Sequence, residues 1–270
     1  MNDVNILKNT FAMIKDNFPK LFGIYLILVA PMYVIDAIIM GSIGVSFTGG
    51  ESLNTTWYES LLSTSTPAPL EEGNAWLTVT GLVSTMVLLP IAYGAVIFAV
   101  NHIRNGESFT VSAVIKQALN RFWPIFGSHL LFILMFTGLV IVFLLPIMMF
   151  GVLGVIIAIL AFIGFAILLG YWLTRWSFYL IKVVFGDTAP GFSKSWDFTE
   201  GRVWPLMGLY IVVFLITLLI NLFVEFIAGF LFGNGILPIF MLDITSLLVS
   251  LIFFVAYSLV YFELKAERGE

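Results

Sequence analysis

Three acidic side chains within long apolar stretches are the first candidates for chemistry in this chain: Asp36, Glu225 and Asp243. An ionised group is costly to bury in a membrane, so acids in such stretches commonly bind an ion or a polar ligand. All three fall toward the outer ends of their stretches, where they could line a cavity for a cation or a polar headgroup. The alternative is that each one is hydrated at the membrane–water interface and has no ligand.

A second set of candidates combines cations with tryptophan near the cytoplasmic ends of apolar stretches. The set consists of Arg175, Trp176, Lys194, Trp196, Arg202 and Trp204. Arg175, together with Trp172 and Trp176, could contact lipid phosphate. Alternatively, its charged head reaches the interface while its stem packs on aromatic rings.

The segment 188–202 favours a short helix that lies in the plane of the membrane. Phe192 and Trp196 fit one helical face, and Lys194 and Arg202 are available to meet anionic lipid. Because two acids balance these two cations, the electrostatic attraction is modest. Stabilisation of the cytoplasmic face is therefore the favoured interpretation of this segment.

Several kinds of site have no support in the sequence. The chain has no Cys and only two His, His102 and His129, which argues against a thiolate nucleophile and a zinc site. Gly-rich phosphate loops and nucleophile elbows are absent, and no basic patch outside the membrane indicates nucleic-acid binding. A lone His such as His129 is more often hydrogen-bonded to a neighbouring helix than a proton relay. We therefore predict a non-enzymatic protein with no cofactor and no bound metal.

The elements that must position these residues are membrane-spanning helices. Hydrophobic residues make up 60% of the chain and charged residues 10%, whereas soluble domains carry about 25% charged residues. A spanning helix needs about 20 mostly apolar residues. Six stretches meet this requirement and are the predicted spans: 21–45, 76–100, 124–149, 153–180, 205–227 and 238–262.

The basic residues indicate how the six spans are oriented. All twelve Lys and Arg fall on one side of a six-span arrangement, and short loops rich in these residues stay cytoplasmic. The sequence therefore predicts cytoplasmic termini and an extracellular loop at 46–75. It also predicts an amphipathic segment at 1–20 and cytoplasmic interfacial segments at 101–122 and 185–204, all within a single membrane domain.

A short motif recurs where the chain enters each odd-numbered span. Its copies are NFPKLFG at 17–23, RFWPIFG at 121–127 and RVWPLMG at 202–208. Proline is tolerated in the first helical turn, where its missing N–H costs nothing. Short entry motifs also arise without a repeat, but these recur in register with the spans. We predict an all-α, polytopic membrane protein whose six transmembrane helices form three units of amphipathic helix plus hairpin, an internal repeat.

The last third of the chain resembles a known group of membrane proteins. The segment GFSKSWDFTEGRVWPLMG at 191–208 is similar to the pattern A-x-K-R-S-W-x-L-T-x-G-R-F-W, and VYFELKAERG at 260–269 is similar to Y-Y-D-L-R-x-R-x-E-G. Both patterns belong to the membrane domain attached to some glycerophosphodiester phosphodiesterases and to its uncharacterised stand-alone relatives. The resemblance implies a prokaryotic plasma-membrane protein. It does not imply phosphodiesterase activity, which those enzymes carry on a separate soluble barrel.

Three functions remain open from the sequence. The first is a non-enzymatic membrane module that acts through membrane lipid or a protein partner in the membrane. The second is a transporter or channel for a lipid, ion or small solute that uses the three outer acids. The third, an intramembrane enzyme, would depend on Asp36 meeting Asp243 and has the least support.

Overall fold

The computed structural model describes residues 3–48, 72–150, 152–186, 189–233 and 235–269. All regular structure in these residues is helical. The α-helices are, in chain order, α1 (Asp3–Leu28), α2 (Ala30–Ser42), α3 (Glu72–Val83), α4 (Leu89–Arg104), α5 (Val111–Asn120), α6 (Phe122–Phe150), α7 (Val152–Trp176), α8 (Tyr179–Val184), α9 (Phe192–Phe198), α10 (Val203–Phe232) and α11 (Ile236–Glu267). A π-helical segment, Ser84–Leu88, joins α3 to α4. The prediction of an all-α chain is therefore confirmed.

Within the described residues, four helical stretches are long and apolar enough to cross a membrane: Ala75–Arg104, Phe122–Leu145, Val203–Phe232 and Ile236–Glu267. Helices α1 and α2 supply a fifth if they count as one span bent by 47°. The remaining predicted span, 153–180, corresponds largely to the 25-residue α7, which is not among these candidates. The helices are compatible with a multi-pass membrane protein, and the number six stays a prediction.

Two irregularities in the spans have local causes. The bend between α1 and α2 lies at Val29, just before Pro31, whose ring lacks an N–H and clashes with the preceding turn. The π-helical segment comes just before Pro90, which likewise interrupts the regular hydrogen-bond ladder. The predicted extracellular loop falls mainly on residues 49–71, which lie outside the described residues.

The three copies of the entry motif share one backbone conformation at their first residue. Asn17, inside α1, has φ −124° and ψ 18°. Arg121 has φ −107° and ψ 17°, and Arg202 has φ −123° and ψ 9°. Each of these residues separates a surface segment from a long apolar helix. The fourth residue after each one is a fully buried aliphatic side chain, namely Leu21, Ile125 and Leu206.

Contacts between the long helices close a ring. Going around it, α1 packs against α4, α4 against α6, α6 against α7, α7 against α10, α10 against α11, and α11 against α1. Helix α11 also packs against α4 across the ring, and the short helix α8 contacts α4, α6 and α9. Every residue of α8 is buried, so this short segment fills the interior at one end of the ring.

That end also carries the basic residues, and we call it the basic end. It contains the first part of α1, the end of α4, helices α5, α8 and α9, and the end of α11. Cross-contacts tie its cations to these elements: Lys20 lies over the Phe109 ring at 5.1 Å and Arg104 over the Phe262 ring at 4.9 Å. The opposite end contains α2, α3, the end of α10 and the start of α11.

Candidate functional site

Two of the three predicted acids come together at the opposite end. Asp36 on α2 accepts a hydrogen bond from the Thr80 hydroxyl on α3, and Asp243 on α11 is close enough for its charge to interact with that of Asp36. The Tyr33 side chain also interacts electrostatically with both carboxylates. Asp36 and Asp243 are half-buried and Thr80 is buried. This group of Asp36, Asp243, Thr80 and Tyr33 is called the acid pair below.

The packing of α2 explains why the acids meet. Helix α2 contacts both α3 and α11, and the chain that follows it is hydrogen-bonded to the start of α11. The Ile236 N–H donates to the Ser46 carbonyl at 3.1 Å, and the Leu237 N–H donates to the Phe47 carbonyl at 3.0 Å. Asp36 lies about 10 Å before the end of α2 and Asp243 about 10 Å after the start of α11, so this connection places the two acids at a similar depth.

Glu225 is not part of the acid pair. It lies on α10 at a comparable distance from the helix end, since Phe232 is about 10 Å further along the axis. Its side chain is exposed. Helix α10 buries Val213 and Ala228 against its neighbours instead. Of the three acids that were predicted to converge, only Asp36 and Asp243 do so, and Thr80 joins them.

His129 links three elements in the interior. Its Nδ1 lies 3.1 Å from the Tyr179 hydroxyl on α8, and the Thr85 carbonyl in the π-helical segment also faces the imidazole. A π-helical turn leaves backbone carbonyls without their usual intrahelical partner. This arrangement agrees with a histidine that is hydrogen-bonded to neighbouring elements.

At the basic end, α9 is fastened to the break between α7 and α8. The Ser195 hydroxyl donates to the Arg175 carbonyl at 2.8 Å and accepts from the Phe178 N–H at 3.0 Å. The Tyr257 hydroxyl donates to the Ser177 carbonyl at 2.6 Å. A helix break leaves backbone donors and acceptors without partners, and these side chains satisfy them. We call Ser195, Tyr257 and the backbone groups they bind the lock.

Gly191 allows α9 to approach this closely. Its φ is +77°, and a Cβ at this position would lie 2.6 Å from the Tyr179 carbonyl oxygen. Any other residue would therefore combine left-handed backbone strain with a backbone clash. Thr199 completes the fastening, since its Oγ1 lies 3.4 Å from the Arg175 carbonyl oxygen and the side chain is fully buried.

Helix α9, which the lock holds in place, lies within the segment 191–208 that carries the resemblance. Phe192, Ser195 and Phe198 form the buried face of α9, and Trp196 is half-buried. The sequence predicts Phe192 and Trp196 on the apolar face, but it predicts no hydrogen-bonding role for Ser195, Thr199 or Tyr257. No spacing rule could have identified the partner of Tyr257, because Ser177 lies 80 residues away along the chain.

Arg175 is largely buried, with 8% of its surface exposed. Its guanidinium carbon lies 4.4 Å from the centre of the Trp196 ring and 5.9 Å from that of Tyr171. The predicted neighbours Trp172 and Trp176 pack against each other, and Trp176 also contacts Phe192. Arg175 thus packs against aromatic rings through its guanidinium rather than its stem, and the rings differ from those predicted.

The other predicted interfacial residues are spread over the basic end. Arg202 forms an ion pair with Glu267, with 3.0 Å between Nη2 and Oε2. Lys194 is exposed on α9, and the Trp204 ring is 62% exposed at the start of α10. Trp123, at the matching place in the second entry motif, is 75% exposed, as expected for rings at a headgroup layer.

Over the described ranges, no group of three or more His, Asp or Glu could hold a metal ion. Comparison of the chain with protein-family models, curated proteins and solved structures gives no match. The resemblance to the phosphodiesterase-associated membrane domain is therefore still a prediction.

Proposed function

We propose that the chain is a non-enzymatic integral membrane protein with six spans that acts by binding membrane lipid or a protein partner. The observation that carries this proposal is how differently the apolar helices are covered. In the most apolar 18 residues of Ala75–Arg104, 56% are buried inside the structure. The corresponding share is 6% for Phe122–Leu145 and 11% for Val203–Phe232. Lipid or another membrane protein would cover these surfaces.

The polar side chains at the basic end support the same proposal. The hydroxyls of Ser195, Thr199 and Tyr257 bind backbone groups of the chain itself. Hydrogen bonds of this kind hold a surface in a fixed shape. The chain then presents a shaped, positively charged face that matches the headgroup layer of a membrane.

The six-span count rests on α7 as a further span antiparallel to α6. The two helices pack against each other, and the Phe143 and Phe165 rings stack at 4.0 Å. The three-unit arrangement is supported by the shared backbone conformation of the entry motifs. In this proposal the basic end is cytoplasmic, and the family resemblance favours the plasma membrane of a prokaryote.

The topology can be tested with single cysteines, because the natural chain has none. Ser193→Cys at the basic end should react with a membrane-impermeant maleimide only in inverted vesicles. Phe47→Cys and Met149→Cys should react only from the outside of intact cells. Reaction of Met149→Cys from the cytoplasmic side would mean that α6 and α7 do not both cross the membrane.

The function itself is tested by isolating the full chain in gentle detergent and identifying what remains bound. Retained lipid or a co-purified membrane protein at a fixed ratio would support the proposal. A chain that carries neither lipid nor protein from its native membrane would contradict it.

A second candidate, a transporter or channel for a cation, is favoured by the acid pair. Two half-buried carboxylates whose charges interact between apolar helices attract a cation. Substitutions Asp36→Asn and Asp243→Asn should then abolish cation-dependent flux in proteoliposomes, whereas Glu225→Gln, which changes the acid outside the pair, should not. Unchanged flux in the first two variants, or no flux in the natural protein, would exclude this candidate.

A further inference from the structure

The guanidinium of Arg175 lacks hydrogen-bond acceptors from the described part of the chain. Its Nε is buried and has no hydrogen-bond partner. The nearest groups are the π faces of Trp196 and Tyr171. An aromatic face attracts a cation but offers its N–H groups no lone pair. A buried charged group is costly unless its N–H groups are hydrogen-bonded, so a further group normally supplies the missing acceptor.

Other cations at the basic end have acceptors within the chain. Arg202 pairs with the Glu267 carboxylate, and the Arg175 carbonyl itself accepts from Ser195. The Glu200 carbonyl accepts from Arg268 at 3.3 Å. Arg202 and Arg268 therefore have acceptors within the chain, whereas Arg175 is buried beside rings.

The position of Arg175 indicates what the missing acceptor is. It lies in the last turn of α7, two residues before the break at Ser177, at the end of the molecule where the exposed Trp123 and Trp204 rings lie. Tryptophan rings settle at the headgroup level of a bilayer, and the groups present there at high density are phosphates. A guanidinium binds phosphate oxygens through two parallel N–H groups, which a point-like ammonium cannot do.

We propose that Arg175, with the Trp196 ring holding its guanidinium in place, binds the phosphate of a phospholipid headgroup in the leaflet at the basic end. This inference rests on the proposed function and specifies its lipid class. The lock serves the site, since Ser195 and Thr199 fix α9 and hence Trp196 against the arginine. Arg175 is in this respect the counterpart of Arg202: one pairs with lipid and the other with Glu267.

The experiment measures thermal stabilisation of the full chain in phosphate-free detergent on addition of one compound at a time. The compounds are phosphatidylglycerol, phosphatidylethanolamine, a diacylglycerol with no phosphate, and inorganic phosphate. The variants are Arg175→Gln and Arg175→Lys, with Arg202→Gln as a matched control that removes a guanidinium whose acceptor lies within the chain. Native mass spectrometry of the same samples measures the bound phospholipid.

Both phospholipids should stabilise the natural chain, and diacylglycerol and inorganic phosphate should do so much less. Arg175→Gln should weaken phospholipid binding about tenfold or more, the effect expected for loss of hydrogen bonds to a charged group, and Arg175→Lys should restore it only in part. Without lipid, Arg175→Gln should melt no lower than the natural chain, because it removes an unpaired buried charge. Arg202→Gln should melt lower but keep its phospholipid response.

The opposite results separate the two proposals. Equal phospholipid binding by Arg175→Gln and the natural chain would overturn the assignment of this site, as would equal stabilisation by diacylglycerol. Stabilisation by inorganic phosphate as large as that by phospholipid would replace the lipid headgroup with a free anion and also overturn it. If the natural chain responds to no lipid and co-purifies with no protein, the proposed function itself fails.

Discussion

The basic end and the opposite end of the helix ring are built on different principles. At the basic end, α8 is buried completely and the helix break beside it is satisfied by Ser195 and Tyr257. At the opposite end, most side chains along the last turns of α10 are exposed, and Phe226 is 58% and Phe230 76% exposed. Loss of one contact should therefore matter far more at the basic end, where packing and hydrogen bonding depend on each other.

This difference has a physical reason in a bilayer. Lipid tails are as apolar as leucine, so helices gain little by burying leucine against each other, and close packing and polar contacts hold them together. The basic end has glycine at a close approach, paired hydroxyls and stacked rings. The opposite end has aliphatic surface, which lipid covers at little cost. The predictions below test this contrast, beginning with the largest expected effect.

Gly191→Ala should lower the free energy of unfolding by about 3 kcal/mol, because it adds a clash with the Tyr179 carbonyl to the strain of a positive φ. Gly201 is the matched control: its φ is also +77°, but nothing lies within 4 Å of the point that a Cβ would occupy. Gly201→Ala should therefore cost about 1 kcal/mol. Reversible unfolding in detergent measures both. Equal losses would show that α9 does not pack as closely as described.

Leu206→Ala should destabilise the fold by about 2 kcal/mol, because Leu206 is fully buried and a cavity would remain. Leu219→Ala, further along the same helix α10, should change the free energy of unfolding by less than about 0.5 kcal/mol. The same unfolding assay compares them. A large loss for Leu219→Ala would mean that a second copy or a partner covers this surface in the sample.

Ser195→Ala should lower the free energy of unfolding by about 1–2 kcal/mol, because it leaves the buried Phe178 N–H without an acceptor. Ser193, two residues earlier on α9, is exposed, and Ser193→Ala should have almost no effect. Limited proteolysis around 186–204 provides a second measurement, in which only the Ser195 variant should be cleaved faster. Identical cleavage of the two variants would argue against the lock.

Thr80→Val should have the smallest effect on stability, below about 1 kcal/mol, because Asp36 is half-buried and water can replace the lost hydroxyl. The substitution tests whether the opposite end is as tolerant as its exposure suggests. Thr85→Val, which changes an exposed threonine of the π-helical segment, is the control. A loss as large as that of Ser195→Ala would show that the acid pair is also a structural lock.

The sequence predicted an all-helical chain and the approximate ends of its long helices, because apolar length and proline position are local properties. Helix α6 ends at Phe150 and α7 begins at Val152, close to the predicted boundary between the spans 124–149 and 153–180. The predicted spans that begin at 124 and 205 correspond to α6 and α10, which begin slightly earlier, at Phe122 and Val203. In each case the deciding interaction spans only a few residues.

The predicted site was changed by contacts that span much longer distances. Glu225 and Asp243 are both acids at a similar depth, yet only Asp243 meets Asp36, because α2 packs against α11. Thr80 joined the acids from 44 residues away. Helix α7 ends at Trp176, before the predicted end of the span at 180. Ser195 and Tyr257 satisfy the backbone groups at this helix break, which apolar composition does not reveal.

The sequence by itself determined which segments are helical and that its cations gather at one end, since apolar runs and charge positions are written along the chain. Only the tertiary structure decided which polar groups are already paired. Arg175 and Arg202 look alike in the sequence, but one lies against Trp196 and the other against Glu267. That distinction depends on how α9 and the end of α11 pack around them, and it separates a candidate lipid site from an internal ion pair.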